Sequence, residues 1–405
     1  MLAHLARGAC VGVCEARYGT NPLSNQDDSK LVFTQFETYW CRNPTPWLPP
    51  MTVVPTSKAR IAYLDNLRFA LVALVVPLHA YYIGFAEHRW ITVFHDSFHM
   101  AALFLISGYF AAPSVQKLGA SRFVTTRGRA LLPPLLFILS LSLPTLAMHQ
   151  YLKSGTLDGY ASALSNAVAS GNILLHGWFL AALLVFVLLA GSIDTAIKSE
   201  RLRALASKVP SRYIGLALVG IAFVTAWPAE ILWSGSVGPL ALPLFVYEAL
   251  RYFWAFALGL ACWHAPALFQ ALHKIDPLVV LIALIAWALT LAPLGLSNAE
   301  WEAAWALRRV TSALVLIPAC LWLFRSVLNF ETRLTRALSE AGMTVFVSQW
   351  ALLYVFALTL PLGFWGLSAL ALVTGLALHH LIVKRSSFAS EWIAGIRRAD
   401  PPSYA

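Results

Sequence analysis

IAYLDNLRFALVALVVPLHAYYIGFA, residues 61–86, decides how the rest of the chain is read. From residue 66 onward it is almost wholly apolar, with Arg68 and His79 as the basic exceptions. About 20 apolar residues rising 1.5 Å each in a helix cross the ~30 Å hydrocarbon core of a bilayer. Runs of the same kind recur at 94–112, 131–149, 172–192, 213–229, 241–262, 278–295, 308–327, 341–360 and 363–383. Their ends, set by charge, Pro or Gly, are uncertain by about four residues. The implied fold is all-α, a polytopic membrane bundle of about ten transmembrane helices.

Composition agrees with that reading. Apolar residues make up 59% of the 405 and charged ones 12%, the mean hydropathy is +0.68, and soluble domains carry about 25% charge. A soluble globule is therefore excluded. The net charge of +10 comes from Lys and Arg clustered between apolar runs rather than along one face, so nucleic acid is not the expected partner. Membrane lipid is. Cys10, Cys14, Cys41, Cys262 and Cys320 form no CxxC pair and have no His at zinc-finger spacing, so neither a metal site nor a disulfide framework is expected.

The basic clusters also orient the bundle. Lys117, Arg122, Arg127 and Arg129 follow span two, and Lys198, Arg201, Arg203, Lys208 and Arg212 follow span four. Arg325, Arg333 and Arg336 follow span eight, and Lys384, Arg385, Arg397 and Arg398 follow span ten, whereas the opposite loops hold only Arg89, Lys153 and the Arg308/Arg309 pair. The positive-inside rule then puts both termini in the cytoplasm, as an even number of spans requires. Residues 1–57 lack a signal-peptide core and read as disordered or as a mis-assigned start of translation, with Met51 the expected first residue. Residues 58–385 form the membrane domain and 386–405 a cytoplasmic tail.

Ionisable groups at membrane depth are costly and mark function. Arg68 and His79 lie eleven residues apart, which returns a helix to within about 20° of its starting direction, so both share one face about 16 Å apart along the axis. Asp65 lies one turn before Arg68. A bland reading has Arg68 snorkel to headgroups, Asp65 pair with it and His79 pack. His95 and His99 have the i,i+4 spacing of a metal clasp, but no HExxH pattern and no third ligand, so no metal is expected. Ser107-Gly108 reads as close helix packing before it reads as a nucleophile, since no Gly-x-Ser-x-Gly elbow is present. Arg122, Arg127 and Arg129 are dense enough to bind a phosphorylated ligand, although lipid headgroups also explain them. His176, beside Trp178 at the outer interface, is either a site residue or part of the aromatic belt. Glu248 and Arg251 are one turn apart and are expected to neutralise each other.

Taken together, Tyr63-Leu64-Asp65-Asn66-Leu67-Arg68 with His79, Phe98-His99-Met100 with Leu105-Ile106-Ser107-Gly108-Tyr109-Phe110, and His176-Gly177-Trp178-Phe179-Leu180 resemble the acyltransferase-3 family of bacterial membrane proteins. The resemblance covers about residues 58–385. It implies an inner-membrane enzyme that moves an acyl group from an acyl-CoA co-substrate to a hydroxyl of a glycan. Its branch concerned with periplasmic glucans suggests acetyl or succinyl as the group, with no bound cofactor. It assigns His79, Arg68 and His99 to catalysis, and Asp65, Ser107, Tyr109, Arg127, Arg129, His176 and Trp178 to substrate binding. Chemically, an imidazole can deprotonate a sugar hydroxyl and a guanidinium at the cytoplasmic mouth can hold phosphates. The chain departs from the family's habit in having Ala130 where a second arginine is common and Gln349 where a histidine is common. A transporter of a glycan or acyl group, without covalent chemistry, is the competing reading, followed by a sensor that has lost its chemistry. Oligomeric state is left open.

Overall fold

The computed structural model describes residues 61–88, 90–170, 172–201, 204, 213–233, 243–291 and 295–396. The expected N-terminal extension, residues 1–57 with Met51, lies outside them, as do Arg89, Arg203, Lys208, Arg212 and the end of the tail from residue 397. Within them lie helices α1 (Ala62–Gly84), α2 (Trp90–Leu118), α3 (Ala120–Ser154), α4 (Tyr160–Ala169), α5 (Trp178–Lys198), α6 (Ile214–Trp233) and α7 (Leu244–His264). They continue as α8 (Pro266–Ala271), α9 (Pro277–Leu291), α10 (Asn298–Val327), α11 (Arg333–Thr359), α12 (Phe364–Leu378) and α13 (Ser387–Ala394). A short 3₁₀ segment, Asn172–Gly177, leads into α5, and α12 ends in one π turn, His379–Val383.

Among the described residues nine helical stretches are long and apolar enough to cross a membrane, and α9, at 15 residues, is a shorter apolar helix in the expected seventh place. Each of the ten expected spans thus holds a helix among the described residues. Large apolar side chains such as Leu188, Val224, Leu284 and Val373 face outward on several of them, an arrangement that water would penalise and lipid accepts. The helices also overrun the apolar runs. Arg122, Arg127 and Arg129, expected in a loop, lie on the first turns of α3, which Gly119 (φ 76°) alone separates from α2. Hydropathy marks the lipid-facing length, while a charged turn continues as a helix wherever no breaker stops it. Starts with local signals are sharper: Ser297 accepts from the Glu300 amide and Glu300 Oε2 accepts from the Ser297 amide at 2.8 Å, a reciprocal cap that opens α10.

Packing centres on α2, whose longest interface is with α7. A Cβ on Gly108 would overlap the Phe256 carbonyl oxygen, and one on Gly259 would overlap that of Leu105. Small residues at this crossing let the two backbones touch, which is the packing role expected of Ser107-Gly108. On the other side α1 packs along α11. Asp65 and Asn66 share a cleft with Thr335, Arg336 and Ser339 at one end, and His79 meets Trp350 further along, so α1 and α11 run parallel. That direction is the one required when seven crossings lie between the first span and the ninth.

Candidate functional site

His79 is buried on α1, 7% exposed. Its ring centroid lies 4.6 Å from that of Trp350 on α11 and 5.7 Å from that of His176 on the 3₁₀ segment. Gln349, fully buried, faces it. These groups hold unspent hydrogen-bonding capacity: His79 Nδ1 and Trp350 Nε1 are buried with no hydrogen-bond partner, while His176 faces the Phe346 and Val347 carbonyls and Gln349 faces His79 without hydrogen bonds of good geometry. The Gln349 amide nitrogen donates to the Phe346 carbonyl at 3.1 Å. A buried polar atom without a partner costs about 1–3 kcal/mol, so several under-bonded atoms in one cluster suit a place that receives a polar ligand.

The backbone that delivers His176 is itself strained. Leu175 adopts φ 46°, ψ −127° inside the 3₁₀ segment, a region in which a branched side chain costs of order 1–3 kcal/mol and which persists where surrounding packing enforces it. Trp178, one turn on, stacks near Tyr252 with planes 20° apart and centroids 6.5 Å apart. It therefore borders the histidine cluster rather than entering it.

His99 has a different situation. Its Nε2 donates to the Leu71 carbonyl of α1 at 2.6 Å, so that nitrogen carries the hydrogen. His95, ring to ring with His99 at 4.4 Å, faces the Leu74 carbonyl of the same helix. The i,i+4 pair thus ties α2 to α1 through backbone oxygens. Among the described residues no three His, Cys, Asp or Glu side chains come together as a metal set.

The opposite end of α1 carries the cations. Arg68 is 46% exposed, lies 3.9 Å from Asp65, and is within electrostatic range of Arg127 on α3. Arg127 donates to Ser114 Oγ at 3.3 Å, and Arg129 is exposed nearby on the same helix. Beside them is a shallow cleft lined by Asp65, Asn66, Glu331, Thr335, Arg336 and Ser339. Ser339 Oγ is buried there without a partner. Two of the expected binding residues lie away from both places: Ser107 Oγ donates to the Leu103 carbonyl at 2.7 Å, and Tyr109 stacks on Phe269 at 4.7 Å.

The structure adds residues that sequence reading passes over. Arg251 does meet Glu248, at 2.6 Å, but it also makes a two-pronged pair with Glu230 of α6 at 2.9 and 3.1 Å. A carboxylate inside the apolar run of α6 was the available signal. Trp350 had none, since a lone Trp in an apolar helix reads as packing.

The acyltransferase domain family matches residues 61–382. Similar proteins include glucans biosynthesis protein C of Escherichia coli O81 (strain ED1a), 27% identical over 334 residues that cover 76% of this chain and 83% of the relative. The protein of the same name from Shigella dysenteriae serotype 1 (strain Sd197) is 27% identical over 335 residues with the same coverage. No solved structure matches. With four fifths of its length matched, and with nine long apolar helices among the described residues, the chain belongs to the acyltransferase-3 family and is a multi-pass membrane acyltransferase.

Proposed function

We propose that the protein transfers an acyl group, acetyl or succinyl, from an acyl-CoA at the cytoplasmic end of α1 to a hydroxyl of a glycan such as a periplasmic glucan, in a bacterial inner membrane. The observation that carries this reading is the buried His79 with Nδ1 unsatisfied, in a cluster of other unsatisfied polar atoms, on the same helix as Arg68. The names of the similar proteins favour a glucan as acceptor.

In the reaction His79 takes the proton of the acceptor hydroxyl as its oxygen bonds to the thioester carbonyl carbon. The tetrahedral intermediate then expels the thiolate, the C–S bond breaks, and the imidazolium returns the proton to sulfur. An ester and a free thiol result. Gln349, which faces His79, orients its imidazole and so fixes which nitrogen is the base. Trp350 Nε1 and His176 supply donors for the charge on the carbonyl oxygen. Arg68 and Arg127 hold donor phosphates, Asp65 orients Arg68, and Arg129 adds positive field at the mouth. His99 acts through α1 by holding its backbone. Trp178 flanks the acceptor side, and Ser107 and Tyr109 shape the helix packing around it.

Mass spectrometry of surface and periplasmic glycans from cells with and without the gene tests the reading: an ester is present with the gene and missing without it. Transport without chemistry predicts substrate counterflow with no acylated product and no thiol release.

A further inference from the structure

At the end of the bundle away from the Lys- and Arg-rich loops, a second polar region joins α2, α6, α7 and α10. Two arginines in it are treated unequally. Arg251 is saturated by Glu230 and Glu248 at 2.6–3.1 Å. Arg309 of α10, 20% exposed, has only two long ion pairs, 3.7 Å to Glu230 and 4.0 Å to Asp96. Its Nε makes no hydrogen bond, and its shortest carboxylate pair is 3.7 Å, where the Nε of Arg251 has a carboxylate oxygen at 2.9 Å. Glu302 lies within electrostatic range of Glu230, Arg251 and Arg309 and makes no hydrogen bond or ion pair to a described residue. Arg309 and Glu302 thus keep donors and acceptors unspent, which partly buried charged groups rarely do.

Periodicity places these groups on one stripe. Glu302 and Arg309 are seven residues apart, and Trp301, Trp305 and Arg309 follow at intervals of four, so they share a face of α10. Trp301 is 37% exposed and lies edge-on to Trp305 at 6.1 Å. Trp305 is backed by the Arg308 guanidinium at 3.5 Å, which fixes its ring. Asp96 of α2, 44% exposed, stands across the stripe. Tyr82 of α1, one turn beyond His79, is in electrostatic range of Asp96, Arg309 and Glu248. The region therefore adjoins the histidine cluster through His95-Asp96 on α2, through His79 and Tyr82 on α1, and through the Trp178–Tyr252 stack next to Arg251.

The ligand chemistry follows from the charges. Carboxylates of Asp96, Glu230, Glu248 and Glu302 outnumber the guanidiniums of Arg251, Arg308 and Arg309 by four to three, so the region offers no net attraction to an anion. Open carboxylate acceptors, a guanidinium with free donors and exposed indole suit a neutral ring with several hydroxyls. We propose that Asp96, Glu302 and Arg309, with Trp301 beside them, form the subsite for a neutral sugar ring of the acceptor, next to His79. The assignment rests on the acyl-transfer reading above for its purpose, though not for its ligand chemistry.

The test is equilibrium binding of neutral gluco-oligosaccharides to the full chain in lipid nanodiscs with no acyl donor present. Wild type is expected to bind, and Glu302→Gln and Trp301→Ala to weaken binding about tenfold or more, the scale of losing one charge-assisted hydrogen bond or one aromatic contact. Both positions lie at the rim, so these variants fold where Arg309→Lys, which disturbs the ion pairs, does not have to. A wild type that binds no neutral sugar, sugar binding unchanged in both rim variants, or tighter binding of a sulfated oligosaccharide of equal length each overturns the subsite. A chain that binds sugar as described yet forms no ester overturns the acyl-transfer reading and leaves the subsite standing.

Discussion

Around His79, between α1 and α11, ring and amide atoms from three elements are buried without a hydrogen-bond partner, whereas between α6 and α7 the buried charges of Arg251, Glu230 and Glu248 are paired at 2.6–3.1 Å. His99 stands between the two cases: its Nε2 donates to Leu71 of α1 at 2.6 Å while its Nδ1 has no partner. Both regions lie in the same apolar bundle and face the same cost of desolvation. One meets that cost internally and so works as a strut. The other leaves it unmet, which makes sense only where a substrate arrives to supply the missing partners. The difference separates residues that hold the helices from residues that act on a ligand.

Substitutions can break or sharpen that division. His79→Ala is expected to lower acyl transfer by about 10²–10⁴-fold, the usual contribution of general base catalysis, with thermal unfolding in detergent close to wild type. A large loss of stability instead would place His79 among the struts. Arg251→Met leaves Glu230 and Glu248 buried side by side, and should cost about 3–5 kcal/mol of stability in reversible unfolding from mixed micelles. A cost below about 1 kcal/mol would mean that the network is wet and loosely held. Replacing His99 with Leu removes one interhelical hydrogen bond and should cost about 1 kcal/mol. Any activity lost beyond that, measured at a temperature where the variant is fully folded, would move His99 to the active side. Ser107→Ala should change neither activity nor stability by more than about 0.5 kcal/mol, and a catalytic defect there would contradict its back-bonded position.

The sequence carries the spans plainly because lipid imposes a length and a polarity on every crossing helix, and each of the ten expected runs holds a helix among the described residues. It carries the shared face of Arg68 and His79 because helix periodicity alone relates them. It does not carry the company His79 keeps. Trp350 and Gln349 reach it from α11, and His176 reaches it from a turn bent at Leu175, a backbone conformation that no residue type in Asn172–Gly177 announces. The extension of α3 through Arg122, Arg127 and Arg129 is hidden for a related reason, since charge ends a hydrophobic run without ending a helix. The pairing of Glu248 with Arg251 is local and legible, while the third partner, Glu230, comes from another helix through tertiary packing.

The most direct measurement follows ester formation and thiol release from acetyl-CoA and succinyl-CoA, with neutral gluco-oligosaccharide as acceptor, by purified wild type, His79→Ala and His99→Leu in nanodiscs. Acceptor-dependent ester is expected from wild type and from His99→Leu, and none above background from His79→Ala. Full ester formation by His79→Ala would contradict His79 as the base.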